Sequence, residues 1–192
     1  MKKNEEKFFS FLSNKCQFFL LLRLIMTSNK RYYNLYKTPS AFSDMLMESN
    51  GDVLTGLRFV GSDFRKDFEE SDLSVFNDTR KWLEMYFSGQ EPDFTPDYKV
   101  INQTPFRNEV YEILLSIPFG KVLTYGDIAK TIANNRKIEK MSAQAVGGAV
   151  GSNPICLIIP CHRVVAANNK IGGYGGGIQN KVELLKLEGA IF

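Results

Sequence analysis

The chain contains one histidine, His162, which directly follows Cys161 in the stretch IPCHRVV (residues 159–165). A cysteine beside a histidine suggests nucleophilic chemistry, because an imidazole can remove the proton of a thiol. The stretch PICLIIPCH (154–162) predicts a buried strand that breaks at Pro160 and places Cys161 at the strand end. Adjacent residues of a strand point to opposite faces, so direct contact between His162 and the Cys161 sulfur is not expected.

The numbers of cysteine and histidine residues limit what this pair can do. Cys16, Cys156 and Cys161 form an odd set without a C-x-x-C spacing. This favours free thiols in a reducing, cytoplasmic compartment over a disulfide framework. A single histidine and the lack of a cysteine pair at metal-ligand spacing argue against a zinc site, and we predict no metal and no cofactor. Cys156, in the middle of the predicted strand, is expected to be an inert core thiol.

A small α+β unit is predicted over residues 31–87. It begins with an aromatic strand and continues with a hairpin, indicated by Asn50-Gly51 between two alternating apolar runs. It ends with a helix over 72–87, whose apolar stripe is formed by Leu73, Phe76, Leu83 and Phe87. Three prolines then indicate a linker over 88–104.

A mainly helical unit is predicted over residues 105–192. Apolar periodicity predicts a first helix that ends at Pro118. Thr124 is expected to cap a second helix, with Asp127 as the acidic partner of a capping box, and Ser142 a third helix, AQAVGGAV. Two short helices joined by a turn on a mildly basic segment suggest a helix-turn-helix, although many basic surfaces are simply solvated.

Two glycine-rich stretches need an explanation. Gly147 and Gly148 lie inside the third helix, where each glycine costs about 1 kcal/mol relative to alanine. That cost implies close contact with another helix or with a nucleic-acid backbone, and the sequence leaves both open. The second stretch, IGGYGGGIQNK (171–181), surrounds Tyr174 but lacks the residues of a phosphate-binding loop. It predicts a mobile loop or one that lets a substrate approach closely, followed by a closing helix with Glu188 near its end.

The N-terminal stretch FFLLLRLIM (18–26) is apolar but is interrupted by Arg23. It is shorter than the about 20 apolar residues that span a bilayer. A weak signal anchor, a disordered or amphipathic tail, and a true start at Met26 are the open alternatives. The last is preferred because the domain pattern begins just after Met26. Residues 1–30 are therefore predicted to be an extension, disordered or wrongly assigned to the protein, with no stable membrane association.

The stretch NPICLIIPCHRVV closely resembles the O6-alkylguanine-DNA alkyltransferases, together with AVGGAVGS before it and GGYGGGIQNKVELLKLEG after it. The resemblance covers about residues 105–190. It implies direct, single-turnover DNA repair in which Cys161 attacks the alkyl carbon on O6 of guanine and keeps the alkyl group. Repair of O4-alkylthymine stays open. His162 is implied to remove the thiol proton through a bridging water, with Glu188 behind it.

The resemblance also implies roles around the reacting thiol. Tyr125 would help to flip the nucleotide out of the stack and would protonate the leaving guanine, and Asn153 would support the active-site turn. Tyr174 would lie beside the flipped base. Val164 and the loop around Gly175 would supply backbone groups that recognise the guanine edge.

The helix that begins near Ala143 is implied to be a recognition helix that enters the minor groove of double-stranded DNA. Gly147 and Gly148 would then allow its close approach to the narrow groove. Gln144 is a departure, because well-known members have an arginine that fills the gap left by the flipped base. We expect this glutamine to weaken DNA affinity or slow base flipping without abolishing the chemistry. A monomer without a small-molecule cofactor is implied.

Two other classes of function stay open. A non-catalytic lesion-binding module would recruit other repair factors, and the retained Cys161, His162 and Glu188 argue against it. A Cys-His hydrolase would turn over many times on an ester or peptide, so the turnover number separates it from an alkyltransferase. Covalent modification of Cys161 separates an alkyltransferase from a lesion-binding module.

Overall fold

The structure is a computed structural model that describes residues 30–61, 68–101, 103–168 and 170–190. The predictions for Cys16 and for residues 1–29, including the start at Met26, fall outside the described residues. Within the described ranges, no helix is long and apolar enough to cross a membrane.

The N-terminal half contains a four-stranded sheet with the strand order β3-β2-β1-β4. The strands are β1 (Tyr32–Tyr36), β2 (Met45–Ser49), β3 (Leu54–Phe59) and β4 (Glu69–Glu70). β2 pairs antiparallel with β1 and β3, and β4 pairs parallel with β1. The predicted hairpin at Asn50-Gly51 is confirmed. Gly51 adopts a φ of +111°, and Asn50 Oδ1 accepts from the backbone N–H groups of Asp52 and Val53.

Helix α1 (Ser74–Phe87) follows the sheet and confirms the helix predicted over 72–87. Its buried residues recur every three or four positions, as expected for a helix that covers a core on one side. They are Val75, Phe76, Thr79, Trp82, Leu83 and Tyr86. Of the predicted stripe, Leu73 and Phe87 are only partly buried against this core. The inner face of α1 is therefore more aromatic than the predicted stripe, because Trp82 and Tyr86 lie on it.

The C-terminal half is mainly helical. Its elements are α2 (Pro105–Leu115), β5 (Leu123–Thr124), α3 (Tyr125–Arg136), α4 (Ala143–Gly151), a 3₁₀ turn (Cys161–Arg163), β6 (Val164–Val165) and α5 (Ile178–Leu187). The mixed α+β prediction is confirmed. The capping box of Thr124 and Asp127 is confirmed, and Ser142 caps α4 by accepting from the Ala145 N–H. β5 and β6 pair in parallel, and this pairing holds the start of α3 beside the segment that carries Cys161.

The strand predicted over 154–159 is wrong, although its burial is correct. Leu57 of β3 donates to the Pro154 carbonyl at 2.8 Å and accepts from the Cys156 N–H at 2.7 Å. The chain then turns, because Leu157 adopts a left-handed φ of +69° and the Ile159 N–H bonds back to the Ile155 carbonyl at 3.0 Å. The run of apolar residues correctly predicts that this segment is buried. Its backbone groups are satisfied by hydrogen bonds within the turn, however, and not by a continuous set of bonds to a neighbouring strand. Cys161 consequently starts a 3₁₀ turn and does not end a strand.

Candidate active site

The turn that holds Cys161 depends on the side chain of Asn153. Its Oδ1 accepts from the Ile155 N–H at 3.0 Å, and its Nδ2 donates to the Ile159 carbonyl at 2.8 Å. The same Nδ2 lies 3.0 Å from Cys161 Sγ. One amide therefore fixes both ends of the turn and offers a hydrogen bond to the sulfur.

The surroundings of Cys161 favour its thiolate. The neighbouring Cys156 thiol hydrogen-bonds to the Cys161 sulfur and lowers its pKa, burial opposes this, and the bond from Asn153 lowers it further. The positive charge of Lys181 acts in the same direction. The pKa of Cys156 is raised well above its ordinary value, first by the bond to Cys161 and then by burial. Of the two thiols, Cys161 is thus the one that ionises, and ionisation makes a cysteine nucleophilic.

His162 is completely buried and lies between two polar groups. Its Nε2 is 2.8 Å from Glu188 Oε1 and 3.2 Å from the Tyr86 hydroxyl. Its Nδ1 has no hydrogen-bond partner within the described parts of the chain. Burial lowers the pKa of His162, and the bond to Glu188 opposes this shift without reversing it. The imidazole is therefore neutral at pH 7, with the proton on Nε2 and a free lone pair on Nδ1.

Glu188 is the most heavily bonded side chain of the site. Arg163 Nε donates to Oε2 at 2.9 Å, and Arg163 Nη2 donates to Oε1 at 3.0 Å. Oε2 also accepts from the Gly120 N–H at 3.1 Å. Burial alone would raise the pKa of Glu188, but the bonds from His162 and Arg163 outweigh it and lower the pKa to about 2. Because His162 is neutral, the ion pair is with Arg163, and the contact with His162 is a hydrogen bond.

Lys181 of α5 is buried directly behind the site. Its Nζ donates to the Val164 carbonyl at 2.6 Å and to the Gly173 carbonyl at 3.2 Å. Burial lowers its pKa to about 8, and the negative charge of Cys161 opposes that shift. Lys181 therefore joins the glycine-rich loop to the strand after Cys161 and remains mostly charged at pH 7.

A pocket of about 230 Å³ opens over the Cys161 sulfur. Tyr125 and Tyr174 form two of its aromatic walls. The Tyr125 hydroxyl points to the Gly173 carbonyl at 3.4 Å, and burial raises the Tyr125 pKa. The other lining residues are Gly147, Val150, Gly151, Asn153, Cys156, Gly173 and Gly175. The pocket is thus lined by an ionisable thiol, by two aromatic rings and by glycine backbone that no side chain covers.

The exposed side of α4 is nearly free of side chains. Ala143, Gln144 and Gly148 are exposed, and Gly147 is half-buried against the Tyr125 ring. A Cβ added at Gly148 would meet no atom within 4 Å, so packing inside the protein does not explain this glycine. Ala143, Gln144, Gly147 and Gly148 form this face, which we call the smooth face of α4, and it reaches the pocket at Gly147.

The family model of the 6-O-methylguanine DNA methyltransferase DNA-binding domain matches residues 105–190. The methylated-DNA–protein-cysteine methyltransferase of Haemophilus influenzae is 36% identical over 160 residues, which are 82% of this chain and 86% of that protein. The protein of the same name from Metallosphaera sedula is 38% identical, over 83% of this chain and 94% of that one. The chain belongs to the methylated-DNA–protein-cysteine methyltransferase family.

A solved structure extends the likeness to the fold. The Mycobacterium tuberculosis OGT in complex with DNA is 36% identical with a TM-score of 0.70, covering 82% of this chain and 92% of that one. The family likeness therefore includes the sheet and α1 as well as the segment from 105 onward.

The predicted site residues of this methyltransferase lie in three places. Those lining the pocket are Cys161, Asn153, Tyr125, Tyr174, Gly175 and Gly147. His162 and Glu188 are buried away from the pocket lining, and Val164 is buried with its carbonyl bonded to Lys181. The exposed face of α4 carries Ala143, Gln144 and Gly148.

The sequence interpretation missed several residues that the structure brings to the site. Cys156 lies in the core and its pKa is raised, as expected of an inert thiol, but the prediction missed that it also lines the pocket and hydrogen-bonds to Cys161. Lys181 had a signal, because it precedes Leu184, Leu185 and Glu188 at the spacing of one buried helix face. Tyr86 and Arg163 had none, since neither local pattern nor spacing indicates a buried partner far along the chain.

Proposed function

We propose that this protein repairs DNA by transferring an alkyl group from O6 of guanine to Cys161 Sγ in one irreversible turnover. The observation that carries the proposal is the Cys161 thiol, whose pKa is lowered, at a pocket of about 230 Å³ beside the smooth face of α4. The methylated-DNA–protein-cysteine methyltransferases named above supply the reaction class.

The transfer is a displacement at the alkyl carbon. The Cys161 proton passes through a water to His162 Nδ1, the atom whose lone pair is free. The thiolate attacks the alkyl carbon, an S–C bond forms, and the electron pair of the breaking C–O6 bond stays on guanine. The Glu188 carboxylate stabilises the resulting positive charge on His162, whereas the positive charge of Arg163 opposes it and favours return of the proton. The stable thioether explains why each molecule would act once.

The leaving guanine takes up one proton. Tyr125 is the proposed donor, because it lines the pocket and burial keeps its hydroxyl protonated at neutral pH. The phenolate then regains a proton from solvent, and the imidazolium of His162 releases one to solvent, so the proton count balances. Tyr174 would pack beside the flipped base, and the backbone at Val164 and Gly175 would recognise the guanine edge. O4-alkylthymine is a second substrate to compare, since it presents the same alkyl–oxygen bond.

Double-stranded DNA is the proposed partner of α3 and α4, which would act as a helix-turn-helix in the minor groove. The open space at Gly148 supports a close approach of a backbone to α4. Gln144 would fill the gap left by the flipped base without contributing a charge. We further propose that residues 105–192 form the DNA-binding alkyltransferase unit of a cytoplasmic monomer, joined through 88–104 to the α+β unit of 31–87.

Mass spectrometry tests the proposal directly. The protein is mixed with duplex DNA that contains one O6-methylguanine, and intact and peptide masses are measured. We expect one methyl group per molecule on Cys161, and no mass gain in Cys161→Ala. Cys156→Ala is the matched thiol control and should still be methylated at Cys161.

Other outcomes identify the alternatives. Tight binding to the lesion without a mass change would refute the transferase and favour a lesion-binding module. Repeated cleavage of an ester or peptide would indicate a Cys-His hydrolase. A methyl group found on Cys16 or Cys156 in place of Cys161 would refute Cys161 as the nucleophile.

A further inference from the structure

Tyr86 of α1 reaches the buried polar network from the other half of the chain. Its hydroxyl is 2.6 Å from Glu188 Oε1 and 3.2 Å from His162 Nε2. The side chain is only 1% exposed. The family model begins at residue 105, so Tyr86 lies outside the matched DNA-binding domain.

We propose that Tyr86 is a positioning residue for proton transfer, which holds the Glu188 carboxylate and the His162 ring in the orientation that leaves Nδ1 free. This inference rests on the proposed alkyl transfer.

The number of hydrogens in the network supports this role. The Tyr86 hydroxyl has one proton, and the short contact assigns it to the carboxylate of Glu188, which can only accept. The remaining Tyr86 lone pairs can then only accept from Nε2–H of His162. Tyr86 and Glu188 thus require the same imidazole tautomer, and the proton acceptor is left on Nδ1.

Aromatic packing holds the hydroxyl in place. The Tyr86 ring stacks on Trp82 at 5.3 Å with an interplanar angle of 7°. It meets Phe119 at 5.9 Å and the His162 ring edge-on at 6.3 Å. These contacts involve the ring and not the oxygen, so phenylalanine should keep the packing and remove only the hydrogen bonds.

The single histidine makes the test unambiguous. The imidazole ¹⁵N signals of the protein report His162 alone, because the sequence contains no other histidine. Among the described residues, the charged and titratable groups that bear on this ring are Tyr86, Glu188, Arg163, Lys181 and Tyr174, whose ring meets the imidazole edge-on at 6.5 Å. Tyr86→Phe removes one donor from the carboxylate, which then becomes a stronger partner for a protonated imidazole.

We therefore expect the His162 titration midpoint of Tyr86→Phe to move to higher pH, and the acid limb of the transfer rate to move with it. The rate on the plateau should fall about tenfold, because general-base catalysis contributes about 100-fold or more and only its alignment is weakened. The assays are a ¹⁵N pH titration of the DNA-free protein and single-turnover transfer rates between pH 5 and 9.

Tyr36→Phe is the matched control. Tyr36 stacks on Phe87 at 6.0 Å in the same aromatic cluster, so the substitution removes a hydroxyl from the same region. It should leave the titration of His162 and the transfer rate unchanged. The role is refuted if Tyr86→Phe lowers the melting temperature but leaves the midpoint and the pH–rate profile at wild-type values. Because the ¹⁵N titration needs no alkyl transfer, failure of this inference is separate from failure of the proposed function.

Discussion

Replacing Glu188 with glutamine removes a buried carboxylate that accepts from Arg163, His162 and Tyr86. A glutamine side chain has one acceptor oxygen, and its NH₂ group would face donors. Arg163, a residue that is only 8% exposed, would also lose its counter-ion. We therefore expect Glu188→Gln to be strongly destabilising, because the donors around position 188 are retained and lose their acceptor.

Two independent arguments give the magnitude. The Glu188 pKa falls from 4.5 to about 2 on folding, which corresponds to about 3 kcal/mol of stability at pH 7. Breaking a buried ion pair by removing one partner costs about 3–5 kcal/mol. The expected loss in the free energy of unfolding at pH 7 is therefore about 3 kcal/mol or more.

The direction of the pH dependence follows from the lowered pKa. The contribution of Glu188 is fully present above its unfolded pKa and is lost as pH falls toward its folded pKa. The stability difference between wild type and Glu188→Gln should shrink by about 1 kcal/mol between pH 7 and pH 4, and by about 2 kcal/mol at pH 3.

Urea unfolding followed by circular dichroism at pH 7, 5 and 4 measures this difference. Glu183→Gln is the control, because Glu183 lies on α5 in a surface pair with Lys186. Its effect should stay within about 0.5 kcal/mol. A difference for Glu188→Gln below about 1 kcal/mol at pH 7, or one that does not change between pH 7 and 4, would refute the reasoning.

Three further variants test the thiol and helix α4. Cys156→Ala removes the thiol that bonds to Cys161, so the pH midpoint of Cys161 alkylation by iodoacetamide should move upward; an unchanged midpoint would assign the pKa shift to Asn153 and Lys181. Gly148→Ala should raise the melting temperature, since alanine gains about 1 kcal/mol over glycine in a helix and its Cβ meets no neighbour. The same variant should bind DNA more weakly in a fluorescence anisotropy titration, and wild-type affinity would remove α4 from the interface. Gln144→Arg adds a charge on the exposed face and should tighten DNA binding, with a steeper dependence of affinity on salt; an unchanged salt slope would mean that this position does not approach DNA.

Local features of the fold could be predicted from the sequence because their partners are close along the chain. Thr124 and Asp127 are three residues apart, and Ser142 lies three residues before the N–H that it accepts from. The hairpin at Asn50-Gly51 is equally local. In these cases the side chain and the backbone group that it satisfies lie within one turn.

The segment from Ile155 to Ile159 could not be predicted in the same way. A run of apolar residues indicates burial, but it does not distinguish a strand from a packed turn. The deciding interactions are the side chain of Asn153 and the edge of β3. The apolar pattern therefore predicts neither the left-handed backbone conformation of Leu157 nor the hydrogen bond between Cys156 and Cys161.

Distance along the chain also explains why the resemblance placed Glu188 and missed Tyr86. The contact between Tyr86 and Glu188 joins residues 102 positions apart. The apolar stripe predicted for α1 did not include Tyr86, and no pattern in the sequence identifies what its hydroxyl meets. The three-dimensional fold supplies that information.

The same long-range contact bears on how the protein acquires its reactivity while it folds. Helices α3 and α4 are local and can form early, whereas bringing α1 against Glu188 requires closure of a long loop, which is slow. A partly folded chain therefore has Cys161 without its completed network of His162, Glu188 and Tyr86. His162 therefore gains its full set of hydrogen-bond partners only when α1 packs against the C-terminal half.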